Sequence, residues 1–121
     1  MKACRLTGDH WKATSLTPWT VDDPSLQDLD ETLERLDASV YTMMDVEGPD
    51  GRYLTIGGGA GRYVVSGTFD NECFWTLCRA EPASGVVTVT TGGQEGDFPA
   101  AQVVAREQAY QAARVFFQTG E

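Results

Sequence analysis

Apolar positions recur every second residue through the middle of the chain and at helical spacing on either side of it. Tyr53-Leu54-Thr55-Ile56, Arg62-Tyr63-Val64-Val65, Cys73-Phe74-Trp75-Thr76-Leu77-Cys78 and Val86-Val87-Thr88-Val89-Thr90 are rich in β-branched and aromatic residues. Gly, Pro, Asp, Asn or Ser bounds each run, the pattern of successive strands joined by tight turns. Ser39–Val46 predicts a further strand, which Gly48-Pro49-Asp50-Gly51 turns into Arg52–Ile56 as a hairpin. Gly57-Gly58-Gly59-Ala60-Gly61 makes the next turn, Asp70-Asn71-Glu72 leads into Cys73–Cys78, and Pro82-Ala83-Ser84-Gly85 leads into Val86–Thr90. Connections this short predict an antiparallel meander of about five strands. Cys73–Cys78 is apolar on both faces and reads as a central strand with Trp75 in the core.

Two helices flank the strands. Asp22-Asp23-Pro24-Ser25 is a helix start, with Asp23 or Ser25 able to accept from free backbone amides and proline suited to the first turn. Leu26, Leu29, Leu33 and Leu36 then form one apolar stripe, and Asp28, Asp30, Glu31 and Glu34 the solvated face opposite. After a loop from Gly92 to Ala101, Ala109, Ala112, Ala113 and Phe116 predict a second helix over residues 105–118, stopped by Gly120. His10–Leu16 reads as an edge strand anchored by Trp11 and Trp19 and closed by Pro18; the rest of residues 1–20 is unassigned. The order predicts an α+β fold, one domain over residues 1–121, with the N-terminal acidic helix and the C-terminal helix on one face of the sheet.

Charge changes this picture more than composition does. The 41% hydrophobic content of the 121 residues is that of a globular protein. No apolar run reaches the roughly 20 residues needed to span a bilayer, and the N-terminus lacks the apolar core of a signal peptide. A cytoplasmic protein is expected. Nine basic against 18 acidic residues give a net charge of −9, and 10 of the carboxylates lie between Asp22 and Asp50. Such a chain is repelled by nucleic acid and by anionic membranes and attracted to a basic partner. Cys4, Cys73 and Cys78 have no zinc-like spacing and are expected as small buried residues in a reducing compartment.

No motif carries catalysis. The glycine cluster lacks the sixth-position glycine of a dinucleotide fingerprint and the Gly-Lys-Ser/Thr ending of a phosphate loop, and it feeds a strand, so a tight turn or bulge is expected. His10 is the single histidine, no carboxylate pair is singled out by spacing, and no acidic loop has calcium spacing. No cofactor or metal is expected. Binding is the better class, and Phe98, between Asp97 and Pro99, is either exposed or an anchor for its turn.

The acidic leucine helix, Tyr53-Leu54-Thr55-Ile56-Gly57-Gly58-Gly59, Arg62-Tyr63-Val64-Val65, Gly92-Gly93-Gln94, Phe98-Pro99 and the helix from Val104 to Phe117 follow one another over about residues 20–120. In that order they resemble an immunity protein of bacterial polymorphic toxin systems, in the first-numbered immunity family, often encoded beside nucleic-acid deaminase toxins. The resemblance implies a small α+β protein that binds a cognate toxin domain and blocks it, without catalysis or cofactor. A −9 protein fits this role, since it can fill a basic nucleic-acid groove in place of phosphates. The expected toxin-facing residues are Asp28, Glu31, Asp70, Glu72, Gln94, Glu95, Asp97 and Phe98. Two other classes stand beside this one. A small-molecule-binding or regulatory domain would show an enclosed apolar cavity, and a carboxylate hydrolase would show a perturbed acidic pair in a cleft.

Overall fold

A computed structural model describes residues 3–70, 72–79 and 83–119. Six antiparallel strands form the main sheet: β1 (Arg5–Gly8), β4 (Trp19–Asp22), β5 (Met43–Glu47), β6 (Tyr53–Gly59), β7 (Arg62–Thr68) and β8 (Phe74–Thr76), in the order β4-β1-β5-β6-β7-β8. Two separate hairpins join β2 (Trp11–Lys12) to β3 (Ser15–Leu16) and β9 (Val86–Thr91) to β10 (Gln94–Pro99). Helix α1 spans Leu26–Arg35 and α2 spans Arg106–Thr119.

The α+β class and both helices are as the periodicity predicts. Ser25 is the N-cap of α1: its hydroxyl accepts from the Asp28 N–H, and the Asp28 carboxylate accepts in return from the Ser25 N–H at 2.9 Å. Leu29 and Leu33 are fully buried, each burial contributing about 1.5–3 kcal/mol. They share one core with Leu6, Met44, Val46, Leu54, Ile56 and Val65 of the sheet and Ala109, Ala113, Phe116 and Phe117 of α2. Both helices therefore lie on one face. Small Ala109 and Ala113 let α2 settle close to the strands.

Several local expectations are corrected. The N-terminal residues supply two strands of the sheet, and Arg5–Gly8 lies inside it, between β4 and β5. His10–Leu16 is the β2–β3 hairpin rather than one edge strand, turned at Ala13 with φ 55°. Cys73–Cys78 yields only the short edge strand β8, and Trp75 is half-buried against Phe69, with ring centroids 5.3 Å apart. Cys4, Cys73 and Cys78 are all exposed, because the elements that carry the last two end at the rim of the sheet. Val86–Thr91 leaves the main sheet and pairs instead with Gln94–Pro99, a stretch expected as loop. The turn residues Asn71 and Pro82 and the helix-stopping Gly120 lie outside the described residues.

The glycine cluster is more than a turn. Gly57–Gly59 belong to β6, and Ala60-Gly61 make the reversal. A Cβ on Gly57 would lie 2.1 Å from Thr91 Oγ1, and one on Gly58 2.3 Å from the Arg62 carbonyl oxygen. One on Gly59 would stand 2.6 Å from the Ala38 nitrogen. Three neighbours crowd the backbone here, so only glycine fits.

Candidate functional site

The helices cover one face of the sheet; the other face carries the polar half of each alternation. Register places Thr20, Thr7, Asp45, Thr55, Ser66 and Thr76 in one row across all six strands. Thr55 donates its hydroxyl to the Asp45 carboxylate at 2.6 Å. Burial pushes the Asp45 carboxyl above the ordinary carboxylate value, Glu47 pushes it further, and the Thr55 hydroxyl opposes both. In the next row Arg5 bridges Asp22 at 2.8 Å.

The β9–β10 hairpin is pinned against the β6–β7 end of this face. Val89 is buried beside Gly58, and Thr91 sits over Gly57. At the hairpin tip the Gly93 N–H donates to Thr42 Oγ1 at 2.9 Å, and the Trp11 ring lies under Gly93. Thr42 is in turn held by Asp9. The Asp9 carboxylate, 4% exposed, accepts from the N–H groups of Thr42 (2.7 Å) and Met43 (3.0 Å), from Trp11 Nε1 (2.7 Å) and from the Thr42 hydroxyl. Trp19 Nε1 donates to the Asp9 carbonyl oxygen at 3.1 Å. One buried carboxylate thus ties the N-terminal segment and the start of β5 to the hairpin tip. Sequence reasoning missed it, because an aspartate in an unassigned segment carries no periodic signal.

The structure distributes the eight expected binding residues over three places. Gln94, Glu95, Asp97 and Phe98 share β10: the first three are exposed, Asp97 accepts from Thr88 Oγ1 at 2.8 Å, and Phe98 is half-buried. Asp70 and Glu72 lie at the β7–β8 turn, where Asp70 accepts from the Cys73 N–H (2.8 Å) and the Glu72 N–H (2.9 Å). Those N–H groups hold the Asp70 carboxyl below its ordinary value. This turn follows Thr68, whereas the hairpin packs toward the Arg62 end of β7, about 20 Å away at 3.3 Å per residue. Asp28 and Glu31 stand on α1, across the sheet, with Asp28 occupied in the capping box and Glu31 accepting from Gln27.

The charge on the helix layer is partly compensated: Arg106 pairs with Glu34 and Arg114 with Asp30, each at 2.9 Å. The hairpin has no such compensation of its own, for residues 80–105 contain no Lys or Arg. Its outward face presents Thr88, Thr90, Glu95 and Asp97 with Val86, which is 67% exposed. The main concavities are open grooves rather than enclosed cavities, among them one of about 440 Å³ lined by Arg62, Arg79, Val87 and Val104. Among the described residues, no three His, Cys, Asp or Glu converge as metal ligands, and no helix is long and apolar enough to cross a membrane.

The family model described as Immunity protein Imm1 matches residues 17–121. No curated protein and no solved structure matches the chain.

Proposed function

Because the chain belongs to the Imm1 family of immunity proteins, whose partner is a cognate toxin, we propose that it neutralises that toxin by laying the acidic β9–β10 hairpin into a basic active-site groove. The toxin domain is of the nucleic-acid-acting kind, a deaminase, and the encounter takes place in the cytoplasm. One observation carries this reading: Gln94, Glu95 and Asp97 stand together on an exposed hairpin whose sequence holds no cation. A groove built for phosphates favours such a strip of carboxylates, which also steers the encounter.

A standard interface buries about 800 Å² on each partner, enough for one of the three places that hold the expected residues. The hairpin is the best of them, with Val86 as an apolar contact on the same face as Glu95 and Asp97, while Phe98 lies on the other face of the strand. Asp70 and Glu72, or Asp28 and Glu31, would serve a toxin that docks on the β8 rim or on α1. Asp28 and Asp70 already support local structure, so Glu31 and Glu72 report on those surfaces more cleanly.

The experiment is a titration against the toxin domain encoded beside this protein, at low and at moderate salt, with toxin activity read in parallel. Wild-type protein is expected to bind at nanomolar concentration, about −12 kcal/mol, and to weaken as salt rises. The double variant E95K/D97K should weaken binding by about tenfold or more, and E31K and E72K should leave it unchanged. Equal affinity of E95K/D97K and wild type would refute the hairpin. No binding by wild-type protein at either salt would refute the pairing with that toxin.

A further inference from the structure

The two edges of the main sheet are treated differently. Pro18 and Pro24 flank β4, and Asp22 at its end is bridged to Arg5, devices that discourage a further strand. Strand β8 has neither proline nor lysine. Its pairing with β7, continued by the Leu77 N–H donating to the Val65 carbonyl, makes Trp75 the hydrogen-bonded position. The N–H and C=O groups of Phe74 and Thr76 therefore point away from the sheet, where no strand follows among the described residues. Among the described residues, only a long Cys78 Sγ contact, 3.8 Å from the Thr76 oxygen, meets them.

Apolar surface lies on both sides of this edge. Phe74, 65% exposed, stands on the open face. On the helix side a groove of about 330 Å³ runs between β8 and α2, walled by Phe69, Trp75, Leu77 and Val115 and rimmed by Gln108 and Gln111. Phe69 and Val115 are 41% and 45% exposed, and the buried Trp75 indole N–H has no acceptor among the described residues. An unprotected strand edge beside exposed aromatic residues is a surface made to be covered.

We infer that a second copy of this chain covers it, β8 pairing antiparallel with β8 across a two-fold axis to make one continuous sheet. The edge is self-complementary: with the axis at Trp75, each Phe74 meets a Thr76, and both outward pairs of backbone groups are satisfied. Charge selects the same direction. Asp70 and Glu72 precede β8, and Arg79, with Glu81 two residues beyond, follows it. Antiparallel pairing therefore brings Arg79 of one copy toward the acidic turn of the other, whereas parallel pairing would set the two acidic turns side by side. The net charge of −9 opposes association, but a Debye length of about 8 Å at physiological salt limits the repulsion to nearby groups, and the groove walls carry no charge.

Sedimentation equilibrium of the whole protein at physiological salt tests this, without toxin, so it stands or falls apart from the immunity mechanism. The expected result is a mass that rises from monomer to dimer with concentration. Phe74→Lys places a charge on the edge, and Thr76→Pro removes an outward N–H without breaking a bond to β7. Each should weaken the dimer by about tenfold or more while far-UV circular dichroism stays that of wild type. A monomer at every concentration would overturn the inference, as would a dimer that both folded variants leave intact. A monomer whose toxin binding these variants abolish would overturn it too, and would give the edge to a strand of the toxin.

Discussion

Replacing Asp9 by alanine should cost more stability than any surface change in this protein. The carboxylate, itself buried, accepts from two backbone N–H groups, the Trp11 indole and the Thr42 hydroxyl; the two bonds from Thr42 are buried and those from Met43 and Trp11 half-buried. Alanine leaves these donors without an acceptor and too crowded for water to reach all of them. Each orphaned buried donor costs about 1–3 kcal/mol; at the lower figure the total is about 4 kcal/mol. A domain of ordinary stability has only about 5–15 kcal/mol in all. With a urea m-value of about 1.5 kcal/mol per M, the midpoint should fall by about 2.5 M. Asp9→Asn keeps one acceptor oxygen and should fall about half as far. The assay is urea denaturation followed by tryptophan fluorescence and far-UV circular dichroism, with amide exchange read at Thr42, Met43 and Gly93. Those amides should lose protection first, because Asp9 holds Thr42 and Thr42 holds Gly93. A loss below about 1 kcal/mol in Asp9→Ala, or unchanged exchange at Gly93, would refute the claim that one carboxylate holds the three segments together.

Three further outcomes follow from the glycine cluster, the open face and the turn after α1. Gly59→Ala forces a Cβ to within 2.6–2.7 Å of the Ala38 and Asp37 nitrogens at φ 142°, a conformation that L residues rarely adopt. It should destabilise by about 2–4 kcal/mol in a thermal melt, whereas Gly61→Ala, strained by its φ of 88° but with nothing within 4 Å, should cost only about 1–2 kcal/mol. Asp45 binds its proton more tightly when folded, so its effect on stability is unfavourable above the folded value and disappears as the pH falls below the ordinary 3.8. Asp45→Asn should therefore raise the melting temperature at neutral pH and reduce the fall in stability as the pH rises above 3.8. Asp37 has the opposite sign: burial raises its carboxyl, but the N–H groups of Ser39, Val40 and Tyr41 outweigh this and hold it low. Its contribution should be present above 3.8 and lost as the pH falls through the lowered value, read as a falling midpoint in acid unless Asp37 is replaced.

Much of the class was legible, and little of the architecture that carries the candidate surface was. The charge balance and the lack of a catalytic set pointed to a protein partner, and Gln94, Glu95 and Asp97 did prove to be exposed together. Nothing in the sequence marked Val86–Thr91 as part of that hairpin. It reads like any other strand of the meander, and its separation from the main sheet depends on Gly57 and Gly58, some 30 residues earlier, leaving room for Thr91 and Val89. Cys73–Cys78 misled for a related reason. Two apolar faces suggest a central strand, but here they serve an edge whose groove side rests on α2 and whose open side carries the exposed Phe74.

The sequence alone determined what is encoded within a turn or two of chain. The leucine stripe and Ser25 cap made α1, the alanine-lined stripe made α2, and alternation with short turns made β5, β6 and β7. Tertiary structure decided what depends on distant partners. Arg5–Gly8 is a strand because β4 and β5 flank it, pairing Leu6 with Val21 and Val46. Asp9 is buried because Thr42, 33 residues on, supplies donors that no local pattern announces. A helix satisfies its backbone within its own segment, so its signal is local; a strand is completed by neighbours, and only the folded chain says which they are.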